Sequence, residues 1–78
     1  MKNHLYKLEA IWLRLDNGPR KRIAQGDLVA VQRGKIIRNT DPSFNTHRIV
    51  SLYGTEKDTE HEINLQHLMT KDLSTIRL

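Results

Sequence analysis

The chain of 78 residues contains no cysteine, which removes any disulfide framework and any thiolate zinc site, and nothing in it asks for an oxidising compartment. Long apolar runs are missing as well. Ala10-Ile11-Trp12-Leu13 is far too short to span a bilayer, and Met1-Lys2-Asn3-His4 is not followed by a signal-type hydrophobic region, so a cytoplasmic protein without membrane contact is the expectation. Patterns of catalysis are equally scarce. Ser43, Ser51 and Ser74 lack a nucleophile-elbow context, and no glycine-rich phosphate cradle precedes a helix. His61 and His67 stand six apart, whereas two imidazoles on one helix face need the His-Glu-x-x-His spacing; His4 and His47 are isolated. Asp58, Glu60 and Glu62 fall in a charged stretch that reads as a solvated loop. A non-enzyme with no cofactor and no metal is therefore expected.

Aromatic residues are few: Tyr6, Trp12, Phe44 and Tyr53. Large rings dominate small cores, so Tyr6, Trp12 and Tyr53 are expected to be packed inside, and Phe44, set in a polar loop, is the better exposed ring. A chain this short buries a small share of its surface, which argues against a deep enclosed active site and leaves oligomerisation open as a source of stability. With 37% hydrophobic and 28% charged residues, the composition suits one folded domain over residues 1–78 rather than disorder.

What the chain does have is a lopsided charge. Residues 1–38 carry nine Lys or Arg against Glu9, Asp16 and Asp27, a net of +6, while residues 39–78 carry a net of −2. Clustered Lys and Arg raise the local potential and favour polyanions. The densest cluster, Arg20, Lys21 and Arg22, follows the turn signal Asp16-Asn17-Gly18-Pro19 and opens the return arm of a predicted hairpin. Arg33, Lys35 and Arg38 surround a second turn at Arg33-Gly34. Together with Phe44 as a stacking ring, these are the candidate nucleic-acid-binding residues.

Alternation supports strands along most of the chain. Ile11, Leu13 and Leu15 share one face and Trp12 and Arg14 the other. Asn3 to Ala10 fits either a short helix capped by Asn3 or the start of this strand, which is favoured from about Leu8 onward. Gly26-Asp27 marks a bulge or tight bend before Leu28-Val29-Ala30-Val31. Asn39 to Thr46 is a loop rich in turn formers, followed by a strand from His47 to Tyr53 with Ile49, Ser51 and Tyr53 on one face and Val50 and Leu52 on the other. Glu62 to Leu65 alternates as a further strand, His67 to Leu73 fits a helical turn, and Thr75 to Leu78 a terminal strand. Five or six short strands in so small a chain predict a mainly β fold, a small barrel of the SH3-like or Sm-like kind with room for a short helix, because closure protects strand edges.

Leu13-Arg14-Leu15-Asp16-Asn17-Gly18, followed by Asp27-Leu28-Val29, resembles the Sm-like small barrels, particularly the Rof family that modulates Rho. Glu62-Ile63-Asn64-Leu65-Gln66-His67-Leu68 is similar to the strand-and-turn ending of such folds, including the Hfq ending around a histidine. The resemblance implies a bent five-stranded barrel that binds RNA or an RNA-binding protein. Rof-type proteins are acidic and engage a nucleic-acid-binding protein, whereas this chain is basic, a balance that favours direct contact with RNA or DNA. A regulatory nucleic-acid-binding protein, RNA before DNA, is the expectation. A protein-interaction module acting on transcription or RNA-processing machinery is the alternative.

Overall fold

The computed structural model describes residues 4–15, 18–37, 45–57 and 59–78. The described residues form eight strands: β1 Tyr6–Leu8, β2 Ala10–Arg14, β3 Arg20–Ala24, β4 Leu28–Gln32, β5 Lys35–Ile37, β6 Thr46–Gly54, β7 His61–His67 and β8 Leu73–Arg77. Every pairing is antiparallel, and no helix occurs among the described residues. The amino-terminal ambiguity resolves to strand, beginning at Tyr6. The expected helical turn from His67 to Leu73 is instead a reverse turn at Leu68, Met69 and Thr70, after which β8 already starts at Leu73. His67 pins that turn, its Nδ1 accepting the backbone N–H groups of Met69 (3.1 Å) and Thr70 (3.3 Å).

More strands form than expected because two long strands are broken by bends. Glu9 separates β1 from β2. Between β3 and β4, Gly26 takes φ +91°, a left-handed conformation that side chains with a Cβ rarely adopt. Asp27 locks this bend: its Oδ2 accepts the Ala24 N–H (2.8 Å) while its own N–H donates to the Ala24 carbonyl (3.0 Å). The bend is also tied to β6, with the Gly26 N–H on the Ile49 carbonyl (2.8 Å) and the Ile49 N–H on the Asp27 carbonyl (2.9 Å). The next turn is a two-residue hairpin loop, Arg33 (φ 53°) and Gly34 (φ 74°), closed by the Gln32 and Lys35 pair. Two consecutive positive φ values are the signature of a type I′ loop, whose twist matches that of the strands it joins.

β6 is the spine. β7 runs along one of its edges from His47 to Gly54, so β4 (at Thr46 to Arg48) and β1 (at Leu52 to Gly54) must share the other. The resulting sheet has the order β5-β4-β6-β7-β8 with β1 also on β6, and β2 and β3 make a separate two-stranded sheet. Among the described residues the expected barrel closure is not present: strand order ends at β5 and β8. The bends at Glu9 and Gly26 carry the β2–β3 hairpin out of the main ladder, so it covers the sheet as a second layer. Ile11, Leu15 and Ile23 from the hairpin form one core with Val29, Ile36, Ile49, Leu52, Ile63 and Leu65 from the sheet.

One expected alternation fails. A bulge between Ile49 and Ser51 inserts Val50, so the inward positions become Ile49 and Leu52, both fully buried, and Val50 lies 38% exposed. The extra residue shifts the period-two pattern by one step.

Candidate nucleic-acid interface

The β2–β3 hairpin has a core face and a solvent face, and its register decides which residues share each. Ile11 pairs with Ile23, both buried, and Leu13 with Lys21; Trp12 pairs with Arg22, and Arg14 with Arg20. Side chains directly opposite each other in an antiparallel pair lie on the same face. Trp12, Arg14, Arg20 and Arg22 therefore form one outward cluster, all exposed, with Trp12 at 54%.

This face is locally unfavourable. Arg14 and Arg20 are like charges directly opposite each other, an arrangement that costs up to about 1 kcal/mol in a sheet. Among the described residues no carboxylate is paired with either guanidinium; the ion pair of Arg77 with Glu62, at 3.5 Å, lies on the other sheet. The Arg20 guanidinium is drawn back over the hairpin, its Nη2 donating to the Trp12 carbonyl at 3.4 Å. A ring exposed among three cations contributes little to the core and leaves a flat π surface in a positive field. That combination suits a phosphate backbone bearing unstacked bases.

The structure divides the residues expected from sequence. Arg20 and Arg22 belong to the face. Lys21, between them, is on the opposite side, lining a recess of about 270 Å³ with Leu15, Ile23, Asp27 and Ile37. Lys35 and Arg14 both border a groove of about 470 Å³ whose other walls are Leu13, Leu15, Ile36, Ile37 and Leu78. Arg33 is exposed at the tip of the β4–β5 turn. Arg38 and Phe44 lie outside the described residues.

Two residues of the face were missed from sequence. Arg14 stands apart from the Arg-Lys-Arg cluster, and Trp12 was expected in the core, as was Tyr6, which is 49% exposed. Tyr53 is half-buried. The signal for Trp12 and Arg14 was available in their alternation against Ile11, Leu13 and Leu15. What alternation lacked was the register, which brings Arg20 and Arg22 to the same side.

The histidines serve local structure. His47 and His67 are cross-strand partners packed edge to face, centroids 4.7 Å apart and planes at 75°. His47 Nδ1 lies 2.7 Å from the Asn45 carbonyl, so it carries the proton and donates. His61 sits at the other end of β7, and among the described residues no group of three or more His, Asp or Glu is placed to hold a metal ion. Searches against family models, curated proteins and solved structures find no match to this chain.

Proposed function

We propose that the chain is a small regulatory nucleic-acid-binding protein, RNA before DNA, that acts in the cytoplasm without catalysis or cofactor. The observation that carries this is the outward face of the β2–β3 hairpin, where Trp12 stands among Arg14, Arg20 and Arg22. Phosphates neutralise the guanidiniums and relieve the opposed Arg14 and Arg20, and an unpaired base stacks on the indole. Lys35 and Arg33 extend the track along the β4–β5 hairpin, with Lys21 excluded from it. Two strands bent at Glu9 and Gly26 and wrapped onto a long β6 also support assignment to the Sm-like or SH3-like small barrels, in a form left open at β5 and β8.

Trp12 is the chain's sole tryptophan, so intrinsic fluorescence reports on this face directly. Titration with single-stranded RNA at low ionic strength is expected to quench it, and added salt to restore it. Trp12→Ala is expected to weaken binding by about 5-fold or more, since stacking contributes about 1–3 kcal/mol per base. Absence of salt-sensitive binding at low ionic strength refutes the proposal. Partner capture from lysate with and without nuclease tests the competing interaction-module function: an acidic protein that stays bound in stoichiometric amount after nuclease treatment would replace nucleic acid as the ligand.

A further inference from the structure

We propose that β8 is the contact strand of a two-fold homodimer, in which the β8 strands of two copies pair antiparallel about Thr75. The inference rests on backbone geometry and is independent of the cationic face. In an antiparallel ladder, residues alternate between pairs that exchange both main-chain hydrogen bonds and pairs whose N–H and C=O groups point away. His61 and Leu78 exchange both bonds, each 2.9 Å, and the His67 N–H reaches the Asp72 carbonyl, also at 2.9 Å. Counting inward from these ends through the β7–β8 register, Ser74 and Ile76 are bonded to Leu65 and Ile63. Leu73, Thr75 and Arg77, opposite Gln66, Asn64 and Glu62, therefore turn their N–H and C=O groups outward along a free edge.

That edge is self-complementary. About an axis through Thr75, the Thr75 residues of the two copies exchange both main-chain bonds, and Leu73 of each copy pairs with Arg77 of the other. All three outward residues of each strand are satisfied, and no like charges meet, because each Arg77 faces a leucine and is already held by Glu62 at 3.5 Å. The Asn64 amide braces the centre, donating to Ser51 Oγ (2.8 Å) and accepting from Thr75 Oγ1 (2.7 Å) through its carbonyl. Leu73, 73% exposed, and Val50 border a shallow groove of about 360 Å³ beside this strand, apolar surface that pairing covers in part.

Three of the other edges carry devices that block pairing, and the fourth, β2, ends on the exposed Arg14. β3 has Arg20, Lys21 and Arg22 in succession, and β1 and β5 are three residues long with Lys7 and Lys35. β8 has five residues, no proline, no lysine and no bulge. It also lies in the part of the chain whose net charge is −2. Closed two-fold pairing consumes the edge on both copies, so it stops at two.

A five-residue strand pair buries less than a standard interface, so the dimer is expected to be concentration-dependent. Sedimentation of the full chain from about 10 μM to 1 mM, the regime of interfaces below about 1,200 Å², should show the mass rising from 9.1 kDa toward twice that value. Thr75→Pro removes an outward N–H that β7 does not use, and it should weaken association at least 10-fold while the circular dichroism remains that of a β protein. Amide exchange supplies a readout independent of that variant: Leu73, Thr75 and Arg77 should slow as concentration rises, while Ser74 and Ile76 stay unchanged. If Thr75→Pro does not fold, Leu73→Lys takes its place and should weaken association likewise. A mass of 9.1 kDa throughout, exchange at Leu73, Thr75 and Arg77 that ignores concentration, or growth past the dimer through another edge each overturns the proposal. Failure here leaves RNA binding by the Trp12 face untouched, and failure of RNA binding leaves this edge untouched.

Discussion

Arg20, Lys21 and Arg22 are consecutive cations, yet the hairpin register predicts that they behave differently. Arg20 and Arg22 share the Trp12 face; Lys21 points to the opposite side beside Leu13 and Asp27. Each phosphate neutralised on a single strand contributes about 0.7 to the slope of log affinity against log salt, so a fourfold rise in salt weakens binding about 2.6-fold per contact. Arg20→Gln with Arg22→Gln should therefore flatten the slope by about 1.4. Lys21→Gln should leave it unchanged. The first substitution has a second consequence of opposite sign. Arg20→Gln removes the like-charge pair with Arg14 and should stabilise the fold by a few tenths of a kcal/mol, up to about 1. The assay is fluorescence anisotropy of a labelled single strand of about eight nucleotides over a salt series, within the span such surfaces cover, with thermal unfolding of each variant run alongside. Equal loss of slope in Lys21→Gln and Arg22→Gln would refute the two-faced hairpin. A fall in the melting temperature of Arg20→Gln would show that its bond to the Trp12 carbonyl outweighs the repulsion from Arg14.

Three further variants test the fold that holds this face. Leu52 is fully buried just past the bulge, at the junction of β1, β6 and β7, and Leu52→Ala should cost about 2–5 kcal/mol in chemical denaturation; a change below 1 kcal/mol would mean the bulge leaves Leu52 outside the core. Gly34 stands at φ 74° with open space where a Cβ would go, so Gly34→Ala tests backbone strain without a clash and should cost about 1–2 kcal/mol. Arg33→Asn at φ 53° creates the Asn-Gly pair that type I′ loops prefer and should raise stability in the same unfolding experiment.

Local chemistry made a good part of this protein legible. The exposed and buried faces of β2 follow from pleat periodicity alone, the Arg33-Gly34 loop from glycine's tolerance of positive φ, and the Gly26-Asp27 bend from the same freedom plus a short side chain that bonds its own backbone. The errors have separate origins. Val50 and Leu52 were assigned by unbroken alternation, and the bulge against β7 shifted it. Trp12 was assigned to the core by ring size, whereas the volume there is already filled by Ile11, Leu15 and Ile23. Arg-Lys-Arg was counted as one cluster, although neighbouring residues on a strand face opposite ways.

Amino-acid order alone settled that the chain is β-rich, that it bends at Gly26 and turns at Arg33-Gly34, and that its positive charge lies in the amino-terminal half, because those properties depend on interactions within a few residues. Tertiary structure decided which cations share a surface with Trp12, that Lys35 and Arg14 border one groove, and that β8 is left as an open edge among the described residues. A one-residue change in hairpin register costs nothing in local propensity but turns every side chain of a strand to the other face. Burial of Ile11 and Ile23 against Ile49, Leu52, Ile63 and Leu65, all distant in sequence, selects the register that is seen.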